Sequence, residues 1–123
     1  MFRVDLVLIG YWRGKGVEGW PDPSEFMDFT WDVDERDIVV DYLRRGFVVR
    51  AYMGYSPCRM CGRGNGSLEL SDGVYVWPEG LAHYLADHDV RPPEPFVSHV
   101  LAMAEGFETA GRDESWWRSF SVD

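Results

Sequence analysis

Two cysteines and three histidines are the soft and imidazole donors of this 123-residue chain, and four of the five fall between positions 58 and 88. They are spaced Cys58-x2-Cys61-x21-His83-x4-His88. Two thiolates and two neutral imidazoles suit a tetrahedral Zn²⁺ ion, and Gly62 after the second cysteine can take the positive φ that tightens a Cys-x-x-Cys turn. A disulfide between Cys58 and Cys61 would close so small a loop that it would constrain the unfolded chain little. A redox pair would sit at a helix start, whose dipole lowers the thiol pKa. Here Gly62, Gly64 and Gly66 follow at once and Asn65-Gly66 demands a turn, so no helix begins there. Metal binding is the chemistry left.

The flanking elements must bring the two pairs of donors together. Phe47 to Tyr55 alternates as a strand leading into Ser56-Pro57-Cys58. Ser67–Leu70 and Val74–Trp77 flank Ser71-Asp72-Gly73, a hairpin signal, and Pro78 is expected to open a helix running to His88 with Leu81, Tyr84 and Leu85 inward. This order of knuckle, hairpin and helix, over Tyr55 to His88, resembles treble-clef and related zinc-finger folds. One tension remains in the helix. His83 and His88 would lie about 140° apart on a regular α-helix, so both face one ion only if the last turn loosens at Asp87-His88 into a 3₁₀ or uncoiled shape. Otherwise His88, which shares a face with Leu81 and Tyr84, is a core histidine, and His99 on the following helix near Met103 is the reserve ligand. Acid should release the ion as the imidazoles protonate.

Catalytic zinc is the alternative. Pro57-Cys58-Arg59-Met60-Cys61 is similar to half of the zinc deaminase signature, but the His-x-Glu half should lie upstream and no histidine precedes Cys58. A small hydrolase-type site of Cys58, Cys61 and His83 with an open position, served by Glu79 or Asp87 as base, is the enzyme reading that survives. No phosphate loop, nucleophile elbow or Ser-His-Asp spacing is present. Tyr52 to Cys58 and Asp72 to Tyr84 together resemble small bacterial single-domain proteins of unassigned function. That resemblance implies a shared fold with the metal, and no activity.

The rest of the chain supplies a scaffold. Val4–Ile9 reads as a strand, and Gly10–Trp31 as an ordered loop pinned by Trp12, Trp20, Phe26, Phe29 and Trp31. A helix is expected over Asp34–Arg45 with Ile38, Val39, Tyr42 and Leu43 buried and an Asp41–Arg45 pair outside. A third carries Phe96, Val97, Val100, Leu101 and Ala104, and the tail tryptophans Trp116 and Trp117, with Phe120, are expected to dock on the body. The fold class expected is α+β: one domain over residues 1–123, a small mainly antiparallel sheet with three helices, and a zinc-binding segment at about 55–88.

Net charge is −9, which argues against a bulk nucleic-acid binder and against anionic membrane surfaces. Residues 18–41 hold nine acids and one base, whereas Arg44, Arg45, Arg50, Arg59 and Arg63 occupy a stretch with no acid. The two stretches either complement each other within the fold or form separate charged surfaces. Leu6–Ile9 is the longest aliphatic run, far short of a span of about 20 residues. Met1-Phe2-Arg3 runs into the first strand without a charged leader, so a cytoplasmic protein is expected. The function expected is that of an acidic, zinc-stabilised adaptor that binds a protein partner, for which a cationic partner is suited, rather than an enzyme; a small-molecule ligand stays open.

Overall fold

The structure is a computed structural model that describes residues 3–122. Met1 and Phe2, read above as leading into the first strand, lie outside the described residues. The fold is α+β. A four-stranded sheet runs in the order β1-β4-β3-β2, with β1 at Val7–Leu8, β2 at Phe47–Ala51, β3 at Leu68–Ser71 and β4 at Tyr75–Pro78. The β2–β3 and β3–β4 pairings are antiparallel, whereas β1 joins β4 in parallel, so the sheet is mixed. The expected hairpin is present. Asp72 Oδ1 accepts the Val74 and Tyr75 N–H groups at 2.9 and 2.8 Å, and Gly73 takes the positive φ of 97° that the turn uses.

Helix α1 spans Val33–Arg44, capped by Asp32, whose carboxylate accepts the Glu35 N–H at 3.0 Å. Its buried stripe is Val39, Val40 and Leu43. Ile38 is exposed, because the face toward the core is rotated one residue from the expected one. The Asp41–Arg45 pair forms at 3.0 Å. Helix α2 spans Leu81–His88 and α3 spans Glu94–Glu108. Pro78 does not open α2: it ends β4, and Glu79-Gly80 make the turn into the helix. The strand expected over Val4–Ile9 pairs only at Val7–Leu8, since β4 offers it two partners.

One core joins these elements. Leu70 and Trp77 from the sheet meet Val39 and Leu43 of α1, Leu81 and Leu85 of α2, and Phe96, Val97 and Val100 of α3. Trp77 is fully buried and its indole N–H donates to the Leu43 carbonyl at 3.2 Å, so the large ring brings no unpaired donor into the interior. Trp12 and Trp31 pin the long N-terminal loop to that core as expected, while Phe29 faces solvent. The tail behaves otherwise than expected. Trp116 and Trp117, on the single-turn helix α4 (Ser115–Arg118), are 70% and 72% exposed and pack on each other and on Phe120 instead of on the body. Self-stacking hides part of each ring, a cheaper solution than full exposure.

Candidate metal centre

The knuckle is a tight antiparallel loop. The Ser56 N–H donates to the Gly66 carbonyl at 3.0 Å, the Asn65 N–H to Ser56 at 2.8 Å and the Cys58 N–H to Arg63 at 2.9 Å. The Gly62 N–H then closes back onto the Cys58 carbonyl at 2.9 Å, with Gly62 at φ 76°, the positive value its position calls for. Both cysteines are free thiols, Cys58 buried and Cys61 exposed.

Helix α2 meets the knuckle with its last turn, and that turn loosens, though into a wide turn and not the 3₁₀ or uncoiled shape expected. The Asp89 N–H reaches back five residues to the Tyr84 carbonyl, and Val90 N–H bonds the same oxygen at 3.2 Å, while Asp89 itself takes a left-handed φ of 56°. A wide, i→i−5 turn brings residues five apart toward one face, which a 3₁₀ turn does not. The His83 and His88 rings consequently lie edge to face with centroids 4.9 Å apart.

One ligand atom from each of Cys58, Cys61, His83 and His88 falls within 4.8 Å of all the others, close enough to hold a metal ion. The Cys61 Sγ to His83 Nε2 distance is 3.4 Å. A tetrahedral ion with sulfur at about 2.3 Å and nitrogen at about 2.0–2.1 Å requires ligand–ligand edges of about 3.3–3.8 Å, so that edge is already at its bonded length. His83 Nδ1 lies 2.9 Å from Asp87 Oδ2. An ionised carboxylate only accepts, so the proton sits on Nδ1 and the Nε2 lone pair is turned toward the cluster, the arrangement that carboxylate–histidine pairs impose on metal ligands. His88 Nε2 is buried and, like Trp12 Nε1 and Arg36 Nε, has no hydrogen-bond partner among the described residues. A buried unpaired imidazole nitrogen costs about 1–3 kcal/mol unless something binds it.

The sulfur side is equally prepared. Burial raises the Cys58 thiol pKa, but the Met60 and Cys61 N–H groups and the Tyr84 hydroxyl outweigh burial and hold it below its ordinary value. The Met60 N–H lies 3.4 Å from Cys58 Sγ. Tyr84 itself, pushed up to about 12 chiefly by burial, stays a neutral donor, and its oxygen accepts the Arg59 N–H at 2.7 Å. One phenol thus ties α2 to the knuckle beside the cluster.

His99, the reserve ligand, lies outside this group. Its Nε2 is 2.7 Å from Asp72 Oδ2, which also accepts the Tyr42 hydroxyl at 2.6 Å. Burial disfavours the Asp72 charge, yet Tyr42, the Tyr75 N–H, His99 and the Val74 N–H together hold its carboxyl down at about 2. Asp87 and Tyr84 are the supporting residues that the ligand spacing did not reveal. The His83-x3-Asp87 interval, an i,i+4 pair, was the available signal for the first. Glu79, a candidate base, is spent on the Ser67 and Leu68 N–H groups at 2.6 and 3.0 Å.

No helix among the described residues is long and apolar enough to cross a membrane. No protein-family model matches the chain, and no curated protein and no solved structure matches it.

Proposed function

We propose that Cys58, Cys61, His83 and His88 hold a structural Zn²⁺ and that the chain is a small acidic interaction module whose shape depends on that ion. The buried, partnerless Nε2 of His88 is the observation that carries the four-ligand reading. A three-ligand catalytic site of Cys58, Cys61 and His83 would leave the adjacent His88 imidazole unused, whereas a closed set takes it in. The S₂N₂ donor set favours zinc over harder cations. The treble-clef likeness of the 55–88 segment is part of the same proposal. Cobalt substitution tests it: a tetrahedral spectrum with two thiolate ligands and no exchangeable water is expected, and a coordinated water would move the site to the enzyme class.

The partner reading rests on two surfaces. Among the described residues, the ion pairs of the acidic 18–41 stretch run to Arg36, Arg45 and Arg91, so only Arg45 of the 44–63 arginines answers it. Glu18, Glu25, Asp32 and Asp34 are exposed and without a cationic partner there. The Trp116–Trp117–Phe120 cluster adds an apolar hand of the kind that anchors interfaces. A cationic protein partner with an aromatic-sized pocket suits both. Capture from lysate should recover one that salt displaces and that Trp117→Ala loses; retention by the Trp117→Ala chain would contradict it.

A further inference from the structure

A second feature stands beside the candidate metal centre and shares the knuckle and α2 with it. A cleft of about 430 Å³ lies between the N-terminal loop, the segment leading into the knuckle and the start of α2. That volume is within the usual range for small-ligand sites, about 300–1,000 Å³. Its walls include Tyr11, Trp12, Trp20, Tyr52, Tyr55 and Tyr84, so flat apolar faces come from three separate parts of the chain. Tyr11 and Trp20 stand edge to face at 5.6 Å, leaving ring faces for a further planar group.

The polar groups decide what kind of planar group. The carboxylate that lines the cleft, Glu79, and the buried Glu69 behind its tyrosines are both committed to the protein. Glu69 accepts the Tyr11 hydroxyl and, at 3.4 Å, the Tyr52 hydroxyl, and Glu79 Oε1 accepts two main-chain N–H groups. The cation is not committed. Arg59 uses Nε and Nη1 on the Arg13 and Pro57 carbonyls at 3.3 and 3.2 Å, meets no carboxylate, and keeps Nη2 free of any acceptor among the described residues. Arg13 is tied to the same rim through its Nε on the Trp20 carbonyl at 3.1 Å and also lacks an ion-pair partner there. The chain as a whole is acidic, yet the one arginine that lines this aromatic cleft, Arg59, has no ion-pair partner among the described residues. The floor is preformed: Gly66, at φ 90°, and Gly80 let Glu79 and Asn65 approach so closely that a Cβ at either position would run into them.

We propose that this cleft binds a planar heteroaromatic ring carrying one anionic group, of the class of a nucleoside monophosphate, with the ring among Trp20, Tyr52 and Tyr55 and the anion at Arg59. A single phosphate meets the Arg59 guanidinium, whereas a polyanion would meet the −9 net charge of the chain. The site is independent of the protein partner proposed above.

Titration of the zinc-loaded full chain with AMP, GMP, CMP and UMP, followed by calorimetry, tests it. At least one should bind saturably, and the matching nucleoside and inorganic phosphate alone should each bind about tenfold or more weakly. Tyr55→Ala and Arg59→Gln should each weaken the nucleotide by about tenfold while zinc content is unchanged, and Arg44→Gln should leave it unaltered. Tyr55 is exposed, so its truncation leaves the core intact. Flat titrations with all four nucleotides to about 10 mM would overturn the proposal. So would binding that both cleft variants preserve, or tighter binding of trimethyl-lysine, which would make the cleft a cation cage.

Discussion

His99 and the pair His83–His88 all sit on helices in partly buried positions, yet their ring nitrogens meet opposite surroundings. At His99 the chain answers itself: Asp72 accepts from the ring, from Tyr42 and from two main-chain N–H groups, and α1, the hairpin turn and α3 are joined without any other species. At the knuckle the chain leaves donors over. Two thiols face two imidazoles, one orienting carboxylate fixes a tautomer, and one buried nitrogen has nothing to bond. The comparison teaches that a histidine beside carboxylates is not thereby a ligand; the unsatisfied lone pair beside sulfur distinguishes the two.

The largest expected difference between the two regions follows from removing sulfur. Cys58→Ser should yield metal-free protein that is unfolded or insoluble by circular dichroism and solubility, because structural zinc contributes an apparent ~10–16 kcal/mol in finger peptides, as much as a whole domain's stability. The histidines then separate the regions directly. His88→Ala should lower zinc content below one equivalent by elemental analysis. His99→Ala should keep full zinc and lose only about 1–3 kcal/mol in urea unfolding, since Asp72 retains three donors. Equal zinc loss in both would erase the distinction. Asp87→Asn acts one step further out. It should weaken zinc by about 10–100-fold against a competing chelator without unfolding the chain, by loosening the His83 ring.

The smallest effect belongs to the self-satisfied region. Burial, then the hydrogen bond to Asp72, raises the Tyr42 phenol well above its ordinary 10.0. A phenol whose folded pKa is raised contributes stability that is complete below its unfolded pKa and lost as pH rises toward the folded one. Urea midpoints should therefore fall above about pH 10, by at most about 1.4 kcal/mol per pH unit for one group, and Tyr42→Phe should flatten that fall. An unchanged slope in Tyr42→Phe would assign the alkaline loss elsewhere.

Much of this layout was legible in the residues because the signals were local. Asp72-Gly73 between β-formers and Cys-x-x-Cys-Gly each specify a few neighbouring torsions, and each turn formed where its signal lay. What escaped reading depended on longer-range geometry. Pro78 fits either a helix start or a strand end, and pairing with Glu69 across β3 decided for the strand. The rotation of α1 that exposes Ile38 is set by the docking of α2 and α3, which periodicity alone leaves one residue uncertain. The widened end of α2 depends on Asp89 adopting a left-handed φ, a state that aspartate tolerates without announcing it. The aromatic cleft is assembled from three distant segments, and nothing in any one of them marks it.

Mass measurement under non-denaturing conditions on chain purified without chelator, paired with its thermal unfolding before and after chelator, bears most directly on the central claim. One zinc per chain is expected, with chelator removing both the ion and the cooperative transition. A metal-free chain that unfolds at the same temperature with and without chelator would contradict it.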